Sequence, residues 1–123
     1  MTPSESMSNF VESLREGSII SPRAYAGRMQ LSPGQLAESA HVAPETIEHS
    51  PSDERLQAYM RSSLSVMAIL LEVNAGDVAR AAHWFHNVPL HELGGQTAER
   101  YVAAGKAEVI RTYVSNLSAG ATG

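Results

Sequence analysis

Residues 51–73 place the strongest constraint on the fold, because apolar side chains recur there at the spacing of one long helix. A capping box at residues 50–53, with Pro51 in its first turn, is predicted to begin this helix. Residues 66–71 are apolar on every side, which requires burial all round. Such a segment lies either at the centre of a bundle or between subunits, and the sequence leaves both open. The apolar stripe comprises Leu56, Tyr59, Met60, Leu64, Met67, Leu70 and Leu71.

The composition of this 123-residue chain is that of one folded unit. Hydrophobic residues make up 43% and charged residues 18%, which excludes a disordered chain, and 6% of aromatic residues favours helix packing over sheet. The absence of cysteine excludes disulfides and thiolate metal sites. The longest apolar run is too short for a bilayer, and the N-terminus lacks a secretion signal. We therefore predict an all-α fold, a compact bundle of about six to seven helices, in a cytoplasmic protein with no membrane partner.

The first fifty residues are predicted to form several short helices, most of which begin at a serine or threonine followed by proline. Met7, Phe10, Val11 and Leu14 share one face of a helix that is predicted to run from about residue 3 to residue 16 and to end at Gly17. This helix either covers the core of its own chain or contacts a second copy. Ser-Pro pairs at 21–22 and 32–33 open two further helices, and a proline at 44 opens a third.

The C-terminal stretch predicts a helix, a turn and two shorter helices. One helix face is formed by residues 78, 81, 82 and 85, with Trp84, the only tryptophan, beside it to fill a gap between helices. Pro89 ends this helix, and two leucines press the following turn onto the core. Thr97 caps the next helix, which Gly105 closes. The inward positions of the last helix are predicted to be Val109, Ile110, Tyr113, Val114 and Leu117.

The order of these residues resembles the C-terminal toxin-binding domain of the Xre/MbcA/ParS-like antitoxins. That domain carries a Trp, a turn with Pro and Leu, a Leu-Gly-Gly, a Thr-Pro that opens a helix, and then Gly, Val and a last apolar helix ending in Gly. This chain departs at Ala98, where the family has the proline. The matching positions are Trp84, Pro89, Leu90, Leu93, Gly94, Gly95, Thr97, Gly105, Val109 and Gly120.

A second resemblance lies at residues 31–47, LSPGQLAESAHVAPETI, which are similar to the helix-turn-helix of Xre-type regulators. The resemblance implies that the second helix enters the major groove of DNA. The candidate DNA-binding residues are Arg23, Arg28, Gln35 and Thr46. The net charge of −4, and two glutamates in the second helix at 45 and 48, argue against a DNA-binding face. The buried positions of this segment are predicted to be Leu31, Leu36, Ala37, Val42 and Ile47.

The two resemblances divide the chain into residues 1–50, with the helix-turn-helix, a connecting helix at 51–74 with a dimer contact, and a toxin-binding domain at 75–123. They imply an antitoxin that occludes a RES-type, NAD-degrading toxin, dimerises and represses its own operon, with a C-terminal tail that orders on the toxin. The alternatives are a dimeric regulator without a toxin, or an adaptor that has lost DNA binding. The implied toxin-binding residues are Trp84, His86, Pro89, Leu90, Leu93, Gly94, Gly95, Thr97, Arg100, Gly105, Lys106, Arg111, Ser118 and Gly120.

Residues that could carry catalysis are present but are not arranged in a recognisable pattern. His83, His86 and His91 lack the third or fourth converging ligand and the second shell that a zinc site needs. No nucleophile elbow occurs, and the glycine-rich residues 93–96 follow no strand and lack the lysine of a phosphate-binding loop. The sequence therefore predicts no enzyme, no metal and no cofactor.

Overall fold

The computed structural model describes residues 1–120, with side chains through Leu117, and that part of the chain holds eight α-helices. The all-α prediction is confirmed, and the number of helices exceeds the expected six to seven because several are short. A two-stranded antiparallel hairpin is the one addition that the sequence did not predict. In chain order the elements are α1 (Pro3–Leu14), β1 (Arg15–Glu16), β2 (Ile19–Ile20), α2 (Pro22–Arg28), α3 (Pro33–Ala40), α4 (Thr46–His49), α5 (Glu54–Val73), α6 (Val78–Asn87), a 3-10 helix (His91–Leu93), α7 (Ala98–Ala103) and α8 (Ala107–Gly120).

Helix α5 lies at the centre of the molecule. It packs against α1, α2 and α3 on the N-terminal side of the sequence and against α6, α7 and α8 on the C-terminal side. At its apolar end, Val66, Met67 and Leu71 are fully buried and Leu70 is 1% exposed. The hydrophobicity of this stretch is therefore largely satisfied within one chain, with residues 68–69 half-buried, as expected at the centre of a bundle.

Six of the eight helices begin at a residue whose side chain caps the first turn. Thr2 and Glu5 form a capping box at α1, and Ser32 and Gln35 form one at α3. The predicted start of the central helix was wrong. Asp53, and not the box at residues 50–53, caps α5, since its Oδ1 accepts a hydrogen bond from the Leu56 N–H at 3.1 Å.

The hairpin corrects the predicted end of the first helix. Helix α1 ends at Leu14, and Gly17 adopts φ +62° in the hairpin turn rather than closing a helix. The buried amide of Gln57 on α5 holds the second strand, accepting from the Ile20 N–H at 3.0 Å and donating to the Ile20 carbonyl at 2.8 Å. These contacts place the hairpin against the central helix.

The turn between α5 and α6 also differs from the prediction. The left-handed residues are Ala75 at φ +54° and Gly76 at φ +82°, whereas Asn74 has φ −106°. The Ser6 hydroxyl of α1 donates a hydrogen bond to the Gly76 carbonyl. This turn is therefore anchored to the first helix by a buried serine.

The segment at residues 31–47 packs largely as predicted. Leu36 and Ala37 are buried on α3, and Ile47 is buried on α4. Leu31 and Val42 are corrected to half-buried, because both lie in connections at the edge of the core. Helix α4 has only 4 residues, a single turn, so the predicted third helix is shorter than expected.

Helix α8 corrects the largest error in the predicted core. Ile110 and Val114 are fully buried, and Tyr113 is half-buried. Val109 and Leu117, both predicted to face inward, are each 42% exposed. The inner face of this helix is narrower than the apolar pattern indicated, because the helix lies at the periphery and packs mainly on α5 and α7.

No single helix among residues 1–120 has both the length and the apolarity needed to cross a bilayer. Helices α5 and α6 meet those conditions only when taken together, and the chain bends by 118° between them.

Candidate functional site

The residues that carry the antitoxin resemblance fold into one local module around the connection from α6 to α7. The Leu90 N–H donates to the Gln96 carbonyl at 2.9 Å and closes a loop that contains the 3-10 helix. Gly94 and Gly95 follow with φ of +72° and +76°, a conformation that residues with a Cβ rarely adopt. Thr97 then caps α7, as predicted, its hydroxyl accepting from the Arg100 N–H at 3.3 Å.

The module divides its predicted site residues between scaffold and surface. Leu90 is 3% exposed, and Trp84 and Leu93 are half-buried against the core, so these three side chains hold the loop in place. Tyr101 adds to this scaffold, since its hydroxyl donates to the Leu93 carbonyl at 3.0 Å. The predicted site residues that lie exposed on the surface are Pro89, Gly94, Gly95, Arg100, Gly105, Lys106 and Arg111.

The exposed cations of the module differ in their surroundings. Arg111 pairs with Glu108 one helical turn earlier on α8. Arg100 and Lys106 line a cavity of about 280 Å³ together with Gln96 and Tyr101. Ser118 and Gly120 belong to the last turns of α8, but their surroundings, like residues 121–123 of the predicted tail, lie outside the described residues.

An apolar stripe runs along the outer face of α8. Val109 and Leu117 are exposed at either end, and Tyr113 lies between them at helical spacing. The Tyr113 hydroxyl donates to the Glu92 carboxylate at 2.9 Å and so ties α8 to the 3-10 helix. This hydrogen bond raises the pKa of the Tyr113 phenol. The outer face of α8 and the loop before α7 therefore form one continuous part of the surface.

A buried polar cluster lies beneath the module, where sequence reasoning predicted only core. The Tyr59 hydroxyl of α5 donates to the Glu99 carboxylate of α7 at 2.7 Å, and Glu99 is 8% exposed. Tyr25 of α2 meets the Tyr59 ring edge-on, with centroids 6.4 Å apart. Burial raises the pKa of both phenols, and the negative charge of Glu99 adds to the effect.

His86, another predicted toxin-binding residue, belongs to this cluster rather than to the outer surface. Its Nε2 is buried and makes no hydrogen bond within the described residues. Burial lowers the pKa of the imidazole, and the nearby charge of Glu99 partly opposes that shift. His86 and Glu99 also line a common cavity with Arg100. The cluster therefore places an imidazole with a lowered pKa, a carboxylate and a guanidinium beside one cavity.

The predicted DNA-binding arginines both have partners within the chain. Arg23 of α2 forms an ion pair with Glu48 of α4. The guanidinium of Arg28 lies 5.0 Å from the centre of the Phe10 ring and donates to the Ser13 hydroxyl at 2.7 Å. These contacts occupy the two cations that the sequence assigned to phosphate.

The other two predicted DNA contacts also serve the local fold. The Gln35 side chain accepts from the Ser32 N–H at 2.9 Å in the capping box of α3. Thr46 is half-buried at the first position of α4. A base-reading face normally combines free cations and amides on an exposed helix. In this chain the two arginines and the glutamine instead contact other groups of the same chain.

Metal-binding geometry is not found among residues 1–120, where no group of three or more His, Cys, Asp or Glu side chains converges. His83, one of the candidates from the sequence, lies beside Asn87, with Nδ1 and the amide nitrogen 3.3 Å apart. No sequence pattern indicates the Tyr59–Glu99 pair, because the two residues lie 40 positions apart.

Comparison of this chain with protein-family models, with curated proteins and with solved structures found no match.

Proposed function

We propose that this chain is an antitoxin-type protein whose C-terminal module binds a RES-type, NAD-degrading toxin and occludes its active site. The proposal rests on the order of residues from Trp84 to Gly120, which resembles the toxin-binding domain of the Xre/MbcA/ParS-like antitoxins. What supports it in the structure is the arrangement of the outer face of α8. The toxin is the only partner that the proposal requires.

The structural observation that supports the proposal most directly is the apolar stripe of Val109, Tyr113 and Leu117 on α8, whose two ends are exposed. Val109 and Leu117 are two of the four large hydrophobic side chains that are exposed in the described part of the chain. The other two, Met1 and Val73, lie on other elements. Protein interfaces bury apolar and aromatic side chains at their centre and surround them with polar groups. The stripe supplies such a centre, and it leads toward the C-terminal end that the proposal places in the toxin's cleft.

The remaining surface residues of the module supply a polar rim for the same contact. Arg100 and Lys106 lie exposed beside the junction of α7 and α8, and Arg111 lies exposed on α8 itself. Arginine is enriched in protein interfaces, where its planar group binds carboxylates in pairs of hydrogen bonds. The buried residues of the module, Leu90 above all, then act by holding the loop in shape and not by touching the toxin.

We do not extend the proposal to operator DNA, because Arg23 and Arg28 are engaged within the chain and α4 is a single acidic turn. The dimer contact that the sequence suggested at the end of α5 is not part of the proposal, because most of that apolar end is buried inside one chain. A regulator that dimerises through this helix is therefore less well supported than a toxin-binding protein.

The test is co-purification of the tagged chain with the protein encoded by the adjacent gene, for the wild type and for two surface variants. Val109→Glu combined with Leu117→Glu places two charges in the stripe, and we expect it to abolish the complex. Val73→Glu is the matched control, because Val73 is an equally exposed apolar residue, at 49%, at the end of α5. A wild-type complex that survives the stripe variant unchanged would show that α8 does not make the contact.

A further inference from the structure

A cavity lined mostly by polar side chains lies between α3, α6 and α7, away from the α8 stripe. This cavity has a volume of about 290 Å³, near the low end of the ~300–1,000 Å³ typical of small-molecule sites. Leu31 is the one apolar residue in its lining. The polar residues that matter for its chemistry are Gln35, Glu38, His86, Asn87, Glu99 and Arg100.

Two of these groups have unused hydrogen-bonding capacity. Nε2 of His86 is buried without a partner in the described part of the chain. Glu99 is buried, yet the Tyr59 hydroxyl is the one side chain there that donates to its carboxylate. Buried polar groups are almost always paired, and an ionised carboxylate normally accepts several hydrogen bonds. His86 and Glu99 thus bring unused hydrogen-bonding capacity to the wall of the same cavity.

The cavity also carries charges of both signs. Glu38 and Glu99 contribute two carboxylates, and Arg100 contributes a guanidinium that forms no ion pair among residues 1–117. A bare organic cation would be repelled by Arg100, and a bare anion would be repelled by the two glutamates. A ligand with a positive and a negative end satisfies both.

We propose that this cavity binds a small zwitterion of the α-amino acid class, with its ammonium group at Glu99 and His86 and its carboxylate at Arg100. A primary ammonium offers three donors, which suits one carboxylate and one imidazole nitrogen together. A guanidinium binds a carboxylate through two parallel hydrogen bonds, which fixes the orientation of the ligand. The amides of Gln35 and Asn87 line the remaining wall and can serve the backbone or side chain of the ligand.

Low pKa of the imidazole supports this arrangement, since a neutral His86 accepts a hydrogen bond where an imidazolium would repel an ammonium group. None of the three stripe residues lines the cavity, and Arg100 is the one residue that the cavity shares with the rim of the proposed toxin contact. The amino acid titrations use the chain alone, so their outcome does not depend on whether a toxin binds.

The experiment is isothermal titration of the full chain with each of the twenty standard L-amino acids, with ethylamine and acetate as probes of the two half-sites. We expect at least one amino acid to bind with one-to-one stoichiometry, and ethylamine and acetate to bind at least tenfold more weakly or not at all. Each of Glu99→Gln and Arg100→Met removes a charge-assisted contact and is expected to weaken binding roughly tenfold or more.

Matched controls are Glu45→Gln and Arg80→Met, which remove the same charges from exposed positions outside the cavity. Both should bind the amino acid as the wild type does. Because Glu99 is buried, Arg100→Met decides the matter if Glu99→Gln does not fold. The proposal is overturned if no amino acid binds, if ethylamine or acetate binds as tightly, or if Arg100→Met binds unchanged.

Discussion

Among single residues, Glu99 is the only charged side chain that falls in the buried core of the described structure. A carboxylate in that environment is stable only while it keeps its hydrogen bonds, and the Tyr59 hydroxyl at 2.7 Å is its side-chain donor. The cluster around this pair also contains the Tyr25 and Ser63 hydroxyls, which form no hydrogen bond among residues 1–117. The stability of the α5–α7 contact therefore depends on a small number of polar atoms.

Removing the Tyr59 hydroxyl tests that dependence. Tyr59→Phe keeps the ring in the core but leaves the Glu99 carboxylate buried without its donor, and we expect the free energy of unfolding to fall by about 1–3 kcal/mol. Urea denaturation followed by circular dichroism measures the change. Tyr113→Phe is the control, because its hydroxyl binds the exposed Glu92, and its urea midpoint should stay close to that of the wild type. Equal losses in the two variants would mean that the Tyr59–Glu99 bond contributes nothing special.

His86 makes a prediction about pH. Burial lowers the pKa of the folded imidazole below its ordinary value of 6.5, which unfolding restores. As the pH falls below 6.5, the imidazole of the unfolded chain takes up a proton more readily than that of the folded chain. The free energy of unfolding therefore decreases as the pH falls. We expect the urea midpoint to decrease from about pH 7 to about pH 5. His86→Gln should flatten this slope, whereas His49→Gln, at an exposed position, should leave it unchanged.

The sequence could predict that Tyr59 is buried, but it could not predict the contact between Tyr59 and Glu99. Tyr59 belongs to the apolar stripe of α5, and burial was correctly expected for it. Glu99 has no partner nearby in the sequence, so no local pattern indicates its burial. Their contact depends on how α7 packs against α5, which no local pattern encodes.

At the scale of elements, turn chemistry decides where the helices begin and how they connect. The Ser-Pro pairs at 21–22 and 32–33 correctly predicted the starts of α2 and α3. The serine caps the first turn and the proline has a fixed φ, and both effects are local. The hairpin at residues 15–20 was missed, since strands of 2 residues are too short to show alternation. It depends instead on Gln57, a residue distant in sequence.

The turn between α5 and α6 gives a test at this scale. Gly76 has φ +82°, and a Cβ added there would meet the Ser6 Cβ at 3.2 Å. Gly76→Ala is therefore expected to lower the free energy of unfolding by about 1–3 kcal/mol. Gly27→Ala is the opposite control, because Gly27 lies within α2 with no atom near the added methyl group, and it should stabilise by about 0.5–1 kcal/mol. Thermal or urea unfolding measures both variants. A change in stability of the same sign in the two variants would contradict this account.

At the scale of the whole molecule, the fold is organised around one buried helix. The apolar period of α5 predicted its length and inward face, but could not distinguish burial by its own chain from burial by a second copy. The distinction depends on how other helices surround α5: six of them pack against it, and most of its apolar C-terminal end is buried within one chain. The exposed ends of the α8 stripe were predicted to be buried. An apolar pattern alone does not reveal which residues a peripheral helix leaves uncovered.

Leu70→Ala tests whether α5 is buried within one chain. Leu70 is 1% exposed, so its truncation should cost about 2–5 kcal/mol of unfolding free energy. The urea midpoints of the wild type and the variant should not depend on protein concentration, because no second chain contributes to this part of the core. A midpoint that rises with protein concentration would place this end of α5 in a subunit interface.

The central claim is that the C-terminal module silences a toxin, and the most direct measurement is NAD⁺ loss. The protein encoded by the adjacent gene would be incubated with NAD⁺ while the chain is added in increasing amounts. We expect NAD⁺ to be degraded by that protein alone and preserved once the chain reaches stoichiometric amounts. NAD⁺ loss that continues at saturating amounts of the chain would contradict the proposed function.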